Sequence, residues 1–180
     1  APGGQTEERN FRFAGVGRLY TEESKQSQQS GSDPYLEVID RLTRATVVVV
    51  GLGGVGSWAA EALARSGVGN LCLIDLDDIC ISNTNRQIHA LSSTVGRMKI
   101  DEMKRRLFDI NPECNITLIH NFVVEDNVHE ILDSLLPNVT ALIDGIDGAG
   151  AKAALLAACA DRKIPVVTSG GAAGRMDPPK

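Results

Sequence analysis

One segment, residues 47–57, constrains the fold of this chain more than any other. It reads Val-Val-Val-Val-Gly-Leu-Gly-Gly-Val-Gly-Ser and leads into a helix-forming stretch at 57–65. Consecutive β-branched residues predict a buried strand, and the glycines predict a turn between that strand and the helix. A second apolar run, 71–74, ends at Asp75. This order of elements is typical of a mononucleotide-binding βαβ unit, so the chain is predicted to bind a nucleotide.

The glycines and the acid of this unit have separate expected roles. Gly51 permits the tight turn, Gly53 lets the backbone approach a phosphate or ribose, and Gly56 lets the helix pack closely on the strand. Asp75 lies about twenty residues beyond the turn, where a carboxylate can accept hydrogen bonds from ribose hydroxyls. These features leave the identity of the nucleotide and the chemistry open.

Two cations downstream favour a triphosphate. Arg86 lies in the segment Ser-Asn-Thr-Asn-Arg-Gln at 82–87, and Lys99 follows thirteen residues later. Arginine offers a planar fork to two oxygens and lysine a point charge. A dinucleotide needs neither, because a glycine turn and a helix N-terminus hold its pyrophosphate. A triphosphate that is cleaved does need cations on its outer phosphates.

Two further carboxylates follow a later apolar run. Asp144 and Asp147 lie in Ile-Asp-Gly-Ile-Asp-Gly, between a predicted strand and a predicted helix. A carboxylate there can hold Mg²⁺ between phosphates. We assign that role to Asp147 and expect Asp144 to cap the helix or to serve the structure.

Strands and helices alternate along the rest of the chain, which predicts an α/β fold with a doubly wound, mostly parallel sheet. Ligands in such sheets bind beyond the carboxyl ends of the strands, where Asp75, the 82–86 segment and Asp147 can converge. The predicted strands are 46–50, 71–75, 115–120, 139–144 and 165–169. The predicted helices are 35–44, 56–66, 96–110, 128–136 and 152–162.

The length of 180 residues suits one domain. We expect a disordered leader at 1–10 and one domain over 11–180. A stretch rich in Ser, Gln and Gly at about 21–34 is predicted to be a flexible insert. The sequence stops soon after a predicted strand, where a doubly wound domain should continue, so we expect that the C-terminal part of the domain is missing.

Composition narrows the possible partners. The net charge of −5 argues against coating nucleic acid by bulk electrostatics. The run Lys104-Arg105-Arg106 is the best candidate for a local basic patch, although a solvated helix face is the favoured interpretation. The sequence contains no apolar run of membrane-spanning length, and we expect no signal peptide because residues 1–10 lack an apolar core.

The cysteines and histidines suggest structural roles. The cysteines lack the spacing of a metal site or a disulfide framework, which fits a reducing compartment. We expect them to be buried, with a reactive thiol as the alternative, since some nucleotide-activating enzymes transfer an acyl group to cysteine. We also expect His89 and His120 to be structural. The four cysteines are Cys72, Cys80, Cys114 and Cys159.

Taken together, the motifs resemble those of the E1-like adenylating superfamily, in order and over about residues 11–177. That superfamily includes activators of ubiquitin-like proteins and bacterial enzymes that prepare sulfur carriers. The resemblance implies a Rossmann-like adenylation domain that uses ATP and Mg²⁺. The motifs are GLGGVGS at 51–57, Ile-Asp-Leu-Asp at 74–77, Ser-Asn-x-x-Arg-Gln at 82–87, Val-Gly-x-x-Lys at 95–99, Ile-Asn-Pro at 110–112 and Ile-Asp-x-x-Asp at 143–147.

Within the superfamily the chain is most similar to the tRNA threonylcarbamoyladenosine dehydratases. The stretches that discriminate are 18–20, 58–65, 83–91 and 111–114, whereas the insert at 21–34 departs from the compact bacterial pattern. The resemblance implies a role for each matching residue: Gly54 and its neighbours line the nucleotide, Asp75 binds ribose, Asn83, Arg86 and Lys99 hold phosphates, Asp147 binds Mg²⁺, and Arg18 reaches the ATP site of a partner subunit in a homodimer.

The implied reaction activates the carboxylate of the threonylcarbamoyl group with ATP and then closes a ring with loss of water. The nucleophile belongs to the substrate, so the enzyme needs no catalytic cysteine. Relatives are cytosolic in bacteria and associated with the mitochondrial outer membrane in eukaryotes, so a cytoplasmic location is expected, with the membrane-associated one as alternative.

Three other functions stay open. The first is adenylation of the C-terminus of a ubiquitin-like or sulfur-carrier protein, which a downstream acceptor cysteine would favour. The second is an NAD-dependent oxidoreductase, in which Arg86, Lys99 and Asp147 would lack a purpose. The third is a nucleotide-binding scaffold without activity.

Overall fold

In a computed structural model of the protein, the described residues are residue 8, residues 12–16 and residues 34–170. A short 3₁₀ turn, Ile81–Asn83, lies between the second strand and the third helix. The helices are α1 Pro34–Arg44, α2 Gly56–Arg65, α3 Lys99–Ile110, α4 Val128–Leu135 and α5 Ala149–Asp161. The strands are β1 Thr46–Val50, β2 Asn70–Ile74, β3 Asn115–Ile119, β4 Ala141–Asp144 and β5 Val166–Thr168.

The five strands form one parallel sheet in the order β3-β2-β1-β4-β5, which confirms the predicted α/β fold. The chain runs outward from β1 through β2 to β3 and then returns to the other side of β1 with β4. The strand order therefore reverses between β1 and β4. In open parallel sheets this reversal point leaves a crevice at the carboxyl ends of the strands, where ligands bind.

Both faces of the sheet are covered by helices, which explains the four valines of β1. Val47 and Val49 pack with α2 and α3 in one core cluster. Val48 and Val50 pack with α4 and α5 in the other. Because side chains alternate across a strand, a strand with both faces covered needs apolar residues at every position.

Local contacts move some of the predicted boundaries. The helix predicted at 96–110 begins at Lys99, because residues 96–98 run antiparallel to 77–79 instead. The amide of Gly96 donates to the carbonyl of Ile79, and Gly96 has a φ of 84°. The same helix ends at Ile110, before Asn111-Pro112, as predicted. The helix predicted from 152 begins at Ala149, and the strand predicted from 139 begins at Ala141.

The domain boundaries drawn from the sequence stay predictions. Residue 8 and Pro34 aside, the leader at 1–10 and the insert at 21–34 fall outside the described residues, as do residues 171–180. Within the described ranges, no helix combines the length and the apolar composition that crossing a membrane requires.

Three cysteines are buried as expected, but the expectation is wrong for Cys80, which is exposed. Cys80 lies just before the 3₁₀ turn, where the chain crosses the protein surface. Burial raises the pKa of both Cys72 and Cys114 to about 11, so these two thiols stay protonated at neutral pH.

Candidate nucleotide site

The glycine turn between β1 and α2 is shaped by close backbone contacts. Gly51 has a φ of 82°, and a Cβ atom added there would lie 2.9 Å from the carbonyl oxygen of Gly145. A Cβ atom on Gly56 would lie 1.8 Å from the carbonyl oxygen of Gly51. Gly51 and Gly56 therefore exclude any side chain, the first because of its turn and the second because helix and strand approach closely. Beside Gly53 the space is open, since an added Cβ would meet nothing within 4 Å.

Asp75 lies against this turn at the end of β2. Its Oδ2 accepts a hydrogen bond from the backbone amide of Leu52 at 2.6 Å, and its Oδ1 accepts one from the amide of Asp77 at 2.8 Å. The carboxylate is buried. A carboxylate has about four lone-pair sites, so both oxygens keep capacity for a further donor such as a hydroxyl.

Arg86 is brought to the same turn from the segment after the 3₁₀ turn. A Cβ atom on Gly54 would lie 3.4 Å from Cγ and Cδ of Arg86, so the aliphatic part of the arginine packs over a glycine. Its Nη1 donates to the carbonyl of Ser82 at 2.9 Å and to Oδ1 of Asn85 at 3.0 Å. The side chain is exposed, which leaves most of its N–H donors available.

Trp58 anchors this arginine to α2, a role that the sequence pattern did not reveal. The indole Nε1 of Trp58 donates to the backbone carbonyl of Arg86 at 2.9 Å. Trp58 otherwise lies half-exposed on the first turn of the helix. The exposure of Trp58 is known only from the structure, so the sequence carried no signal for this contact.

Only the oxygen of the Asn83 side-chain amide takes part in a hydrogen bond within the described residues. The side-chain Oδ1 accepts a hydrogen bond from the backbone amide of Cys80 at 2.9 Å, which closes the 3₁₀ turn. The oxygen therefore serves the local structure, and the Nδ2 group is the part that remains able to donate to a phosphate.

Lys99 is buried and paired. Its Nζ donates to Oδ2 of Asp77 at 2.7 Å, and its backbone amide donates to the carbonyl of Asp77. The side chain of Lys99 is 7% exposed, whereas that of Asp77 is 50% exposed. This pairing was not predicted, although Asp77 belongs to the Ile-Asp-Leu-Asp motif at 74–77.

Asp144 holds β4, β5 and α5 together. It is fully buried and accepts hydrogen bonds from Nζ of Lys152, from Oγ1 of Thr168 and from the amide of Ile146. The structural role expected of Asp144 is confirmed, but the capping alternative is wrong. The residue before α5 is Gly148, and no side chain caps that helix.

Asp147 lies in the turn between β4 and α5, next to the glycine turn. Gly145, in the same turn, donates its amide to the carbonyl of Val50 at 2.8 Å. The side chain of Asp147 is exposed and has no hydrogen bond or ion pair within the described part of the chain. The carboxylate is thus available to a cation.

The donor set suits Mg²⁺ held mainly by a substrate. The described residues contain no group of three His, Cys, Asp or Glu side chains placed to hold a metal ion. Mg²⁺ is commonly bound through one or two carboxylates together with phosphates and water, so a single free carboxylate fits it. Arg18 lies outside the described residues, and its expected role stays a prediction.

The comparisons with known proteins agree with this fold. The ThiF family profile matches residues 27–177. The chain is 47% identical over 167 residues to the tRNA threonylcarbamoyladenosine dehydratase of Escherichia coli, and the match covers 93% of this chain and 56% of that protein. It is 49% identical over 142 residues to the protein of the same name from Bacillus subtilis, with 79% of this chain and 55% of that protein covered.

A solved structure supports the same relationship. The crystal structure of the E. coli tRNA N6-threonylcarbamoyladenosine dehydratase, TcdA, in complex with ATP superposes with a TM-score of 0.80 at 46% sequence identity. The match covers 94% of this chain and 63% of that one. The present chain thus spans a little over half the length of the relatives it matches.

Proposed function

Because this chain belongs to the ThiF family, which is E1-like, we propose that it catalyses the ATP-dependent dehydration of threonylcarbamoyladenosine in tRNA. The observation that supports the adenylation step is that Asp75 and Arg86 contact one glycine turn, against which the β4–α5 turn that carries Asp147 also packs. The names of the relatives supply the substrate class.

In this proposal the turn and Asp75 bind the nucleoside end of ATP. The backbone is open beside Gly53, so a ribose or phosphate can approach without meeting a side chain. Asp75 is already fixed by two backbone amides and accepts the ribose hydroxyls without reorganisation. The N-terminus of α2 directs unpaired amides towards phosphate, as is usual for this type of turn.

In the same proposal, polar and cationic side chains bind the phosphates of the departing pyrophosphate. Arg86 offers its exposed guanidinium to the departing pyrophosphate, and Nδ2 of Asn83 donates to a phosphate oxygen. Lys99 exchanges its partner from Asp77 to a phosphate, which the half-exposed position of Asp77 allows. Asp147 would hold Mg²⁺, which supplies positive charge to the phosphates when it is bound.

The reaction then proceeds in two steps. A carboxylate oxygen of the substrate attacks the α-phosphorus of ATP, and the bond to pyrophosphate breaks. A carbamoyl nucleophile of the same substrate then attacks the acyl carbon, AMP leaves with the former carboxylate oxygen, and a ring closes. The net change in the nucleoside is loss of one water. The chain contributes position and charge, and no cysteine takes part.

Two further parts of the proposal concern assembly and location. We propose a homodimer in which Arg18 reaches the ATP site of the partner subunit, on the basis of the superfamily resemblance alone. A cytoplasmic location, with association to the mitochondrial outer membrane as the alternative, rests on the same resemblance.

The decisive experiment follows the substrate nucleoside. Full-length protein is incubated with ATP, Mg²⁺ and tRNA that carries threonylcarbamoyladenosine, and the digested nucleosides are analysed by mass spectrometry. We expect ATP-dependent loss of one water from that nucleoside and none in the absence of ATP. Unchanged nucleoside, together with pyrophosphate release that depends on a ubiquitin-like or sulfur-carrier protein, would overturn the tRNA substrate in favour of a protein acceptor.

A further inference from the structure

The exposed side of α2 and α3 carries an organised group of cations, which we call the arginine surface. Two buried glutamates underlie it, and each accepts hydrogen bonds from two arginines. Glu61 binds Arg65 and Arg106, and Glu102 binds Arg97 and Arg105. The arginine surface is formed by Arg65, Arg97, Arg105 and Arg106.

This arrangement presents positive charge outward. The side chains of Glu61 and Glu102 are each 8% exposed, whereas those of Arg65, Arg97 and Arg105 are 58–62% exposed. Each glutamate with its two arginines has a net charge of +1, and the carboxylate of Asp109 offsets one of these charges. Two further acids lie on α3: Asp101 is paired with His120, and Asp109 lines a cavity beside the arginines.

The glutamates also fix the guanidinium groups before any ligand arrives. A guanidinium has five N–H donors, and the pairs with Glu61 and Glu102 use one or two from each arginine. The remaining donors can bind phosphate oxygens. Because the side chains are already ordered, little of their conformational entropy is lost on binding.

A polar cavity of about 80 Å³ lies within the arginine surface, between Arg105, Arg106 and Thr94. His89 lines it, and this side chain is 97% buried because its relative exposure is 3%. Neither ring nitrogen of His89 has a hydrogen-bond partner among the described residues. Buried polar atoms without partners are costly, but these nitrogens have almost no accessible surface, so a ligand in the recess would meet the arginine side chains that line it.

The arginine surface starts beside the nucleotide site. Arg97 stands two residues before Lys99, where α3 begins at the carboxyl edge of the sheet. A helix rises about 1.5 Å per residue, so Arg105 and Arg106 lie roughly 10 Å further along the axis. A polyanion bound along α3 would therefore pass directly beside the site where ATP is proposed to react.

We propose that the arginine surface binds the phosphate backbone of an RNA whose reacting nucleoside lies at the nucleotide site. This inference rests on the proposed function, because the proposal of an RNA substrate is what selects RNA among polyanions. Phosphate contacts of this kind give affinity and orientation without reading sequence, and they weaken as salt rises. A surface with several cations on a chain of net charge −5 is suited to that role.

The test compares two double variants with the full-length wild-type protein. The first combines Arg65→Gln and Arg105→Gln, so Glu61 keeps Arg106 and Glu102 keeps Arg97. The matched control combines Arg41→Gln and Arg44→Gln, which are exposed cations on α1. Both variants lose two positive charges. Affinity for an unmodified tRNA transcript is measured across a salt series, with ATP affinity measured by calorimetry in parallel.

We expect the first variant to bind tRNA at least about tenfold more weakly at low salt, with the slope of log K against log salt reduced by roughly 1–2. The control should bind like the wild type, and ATP affinity should be unchanged in all three proteins. Equal losses in both variants, absence of tRNA binding by the wild type, or a change in sedimentation mass confined to the first variant would each overturn the proposal. The last result would identify a protein interface.

The test of the arginine surface and the test of the dehydration reaction can give independent results. If tRNA binding depends on the arginine surface but no water is lost from the modified nucleoside, the surface stands and the reaction is wrong. If water is lost but neither affinity nor the salt slope responds to the first variant, the reaction stands and the surface is wrong.

Discussion

On the β4 side of the glycine turn, a carboxylate and its cation are both withdrawn from solvent. Asp144 is fully buried, Lys152 is 16% exposed, and Thr168 and the amide of Ile146 complete the hydrogen bonding. On the β2 side, Lys99 is buried but its partner Asp77 is half-exposed, and Arg86 is exposed. The first pair is enclosed and has little freedom to change partners, whereas the second can release its lysine to a ligand.

The largest expected effect comes from breaking the enclosed pair. Lys152→Met leaves a buried carboxylate without its cation, and removing one member of a buried pair costs about 3–5 kcal/mol. We expect the free energy of unfolding, measured by urea denaturation, to fall by that amount. Asp144→Asn combined with Lys152→Met should recover part of the loss, because no buried charge then remains. A loss below about 1 kcal/mol in the single variant would mean that the pair is exchangeable after all.

On the β2 side, substitution of Arg86 should affect catalytic activity rather than stability. Arg86→Ala should lower the rate of ATP-dependent pyrophosphate release about 100- to 1000-fold, which is the usual cost of losing one donor to developing charge. The unfolding temperature should barely change, because the side chain is exposed and bonded only to nearby groups of its own loop. Arg44→Ala, an exposed arginine of α1, is the control. Normal pyrophosphate release in the Arg86 variant would rule out a phosphate role.

Asp75 lies on the β2 side, at the end of that strand, and tests the ribose contact. Asp75→Ala removes an acceptor for the ribose hydroxyls, and hydrogen bonds to charged groups contribute about 1.5–3 kcal/mol. We expect ATP affinity, measured by calorimetry, to fall about 10- to 100-fold. Asp75→Asn keeps one side-chain oxygen and should lose less. If the alanine variant is folded and binds ATP as the wild type does, the ribose is held elsewhere.

In the Lys99–Asp77 pair, which can release its lysine to a ligand, substitution of the acid should change stability and ATP affinity in opposite directions. Asp77→Asn removes the charge that holds Lys99, so we expect stability to fall while ATP affinity rises about two- to fivefold, since the lysine no longer has to leave a carboxylate. Lys99→Met should lose both stability and affinity. Urea denaturation and calorimetry on the same samples separate the two effects. Weaker ATP binding in the Asp77 variant would show that Asp77 positions the lysine rather than competing for it.

The strands and helices could be predicted from the sequence, but the side-chain hydrogen-bond partners and ion pairs could not. Residues 47–50 are apolar at every position, which sufficed to predict a strand covered on both faces. The partners Lys152 and Thr168 of Asp144 could not be predicted, because their meeting depends on how α5 and β5 pack beside β4. The start of α3 was misplaced for a similar reason. Arg97 and Met98 are good helix formers, yet Gly96 has a positive φ and the backbone of residues 96–97 and 99 is hydrogen-bonded to residues 77 and 79 instead.

The smallest expected effect is on the pH dependence of stability and comes from His89. This residue belongs to the β2 side because the positive charge of Lys99 influences its pKa. Burial, together with the positive charge of Lys99, lowers the pKa of His89 to about 4. The folded state therefore binds the proton less readily than the unfolded chain, whose histidine titrates near 6.5. Stability from this residue is present above about pH 6.5 and is lost as the pH falls towards 4. We expect a His89→Gln variant to lose less stability than the wild type over that interval in parallel urea titrations. Identical pH dependence would mean that the His89 ring is accessible to protons in the folded protein. The β2 side and the β4 side of the glycine turn would then differ less in their access to solvent than their geometry indicates.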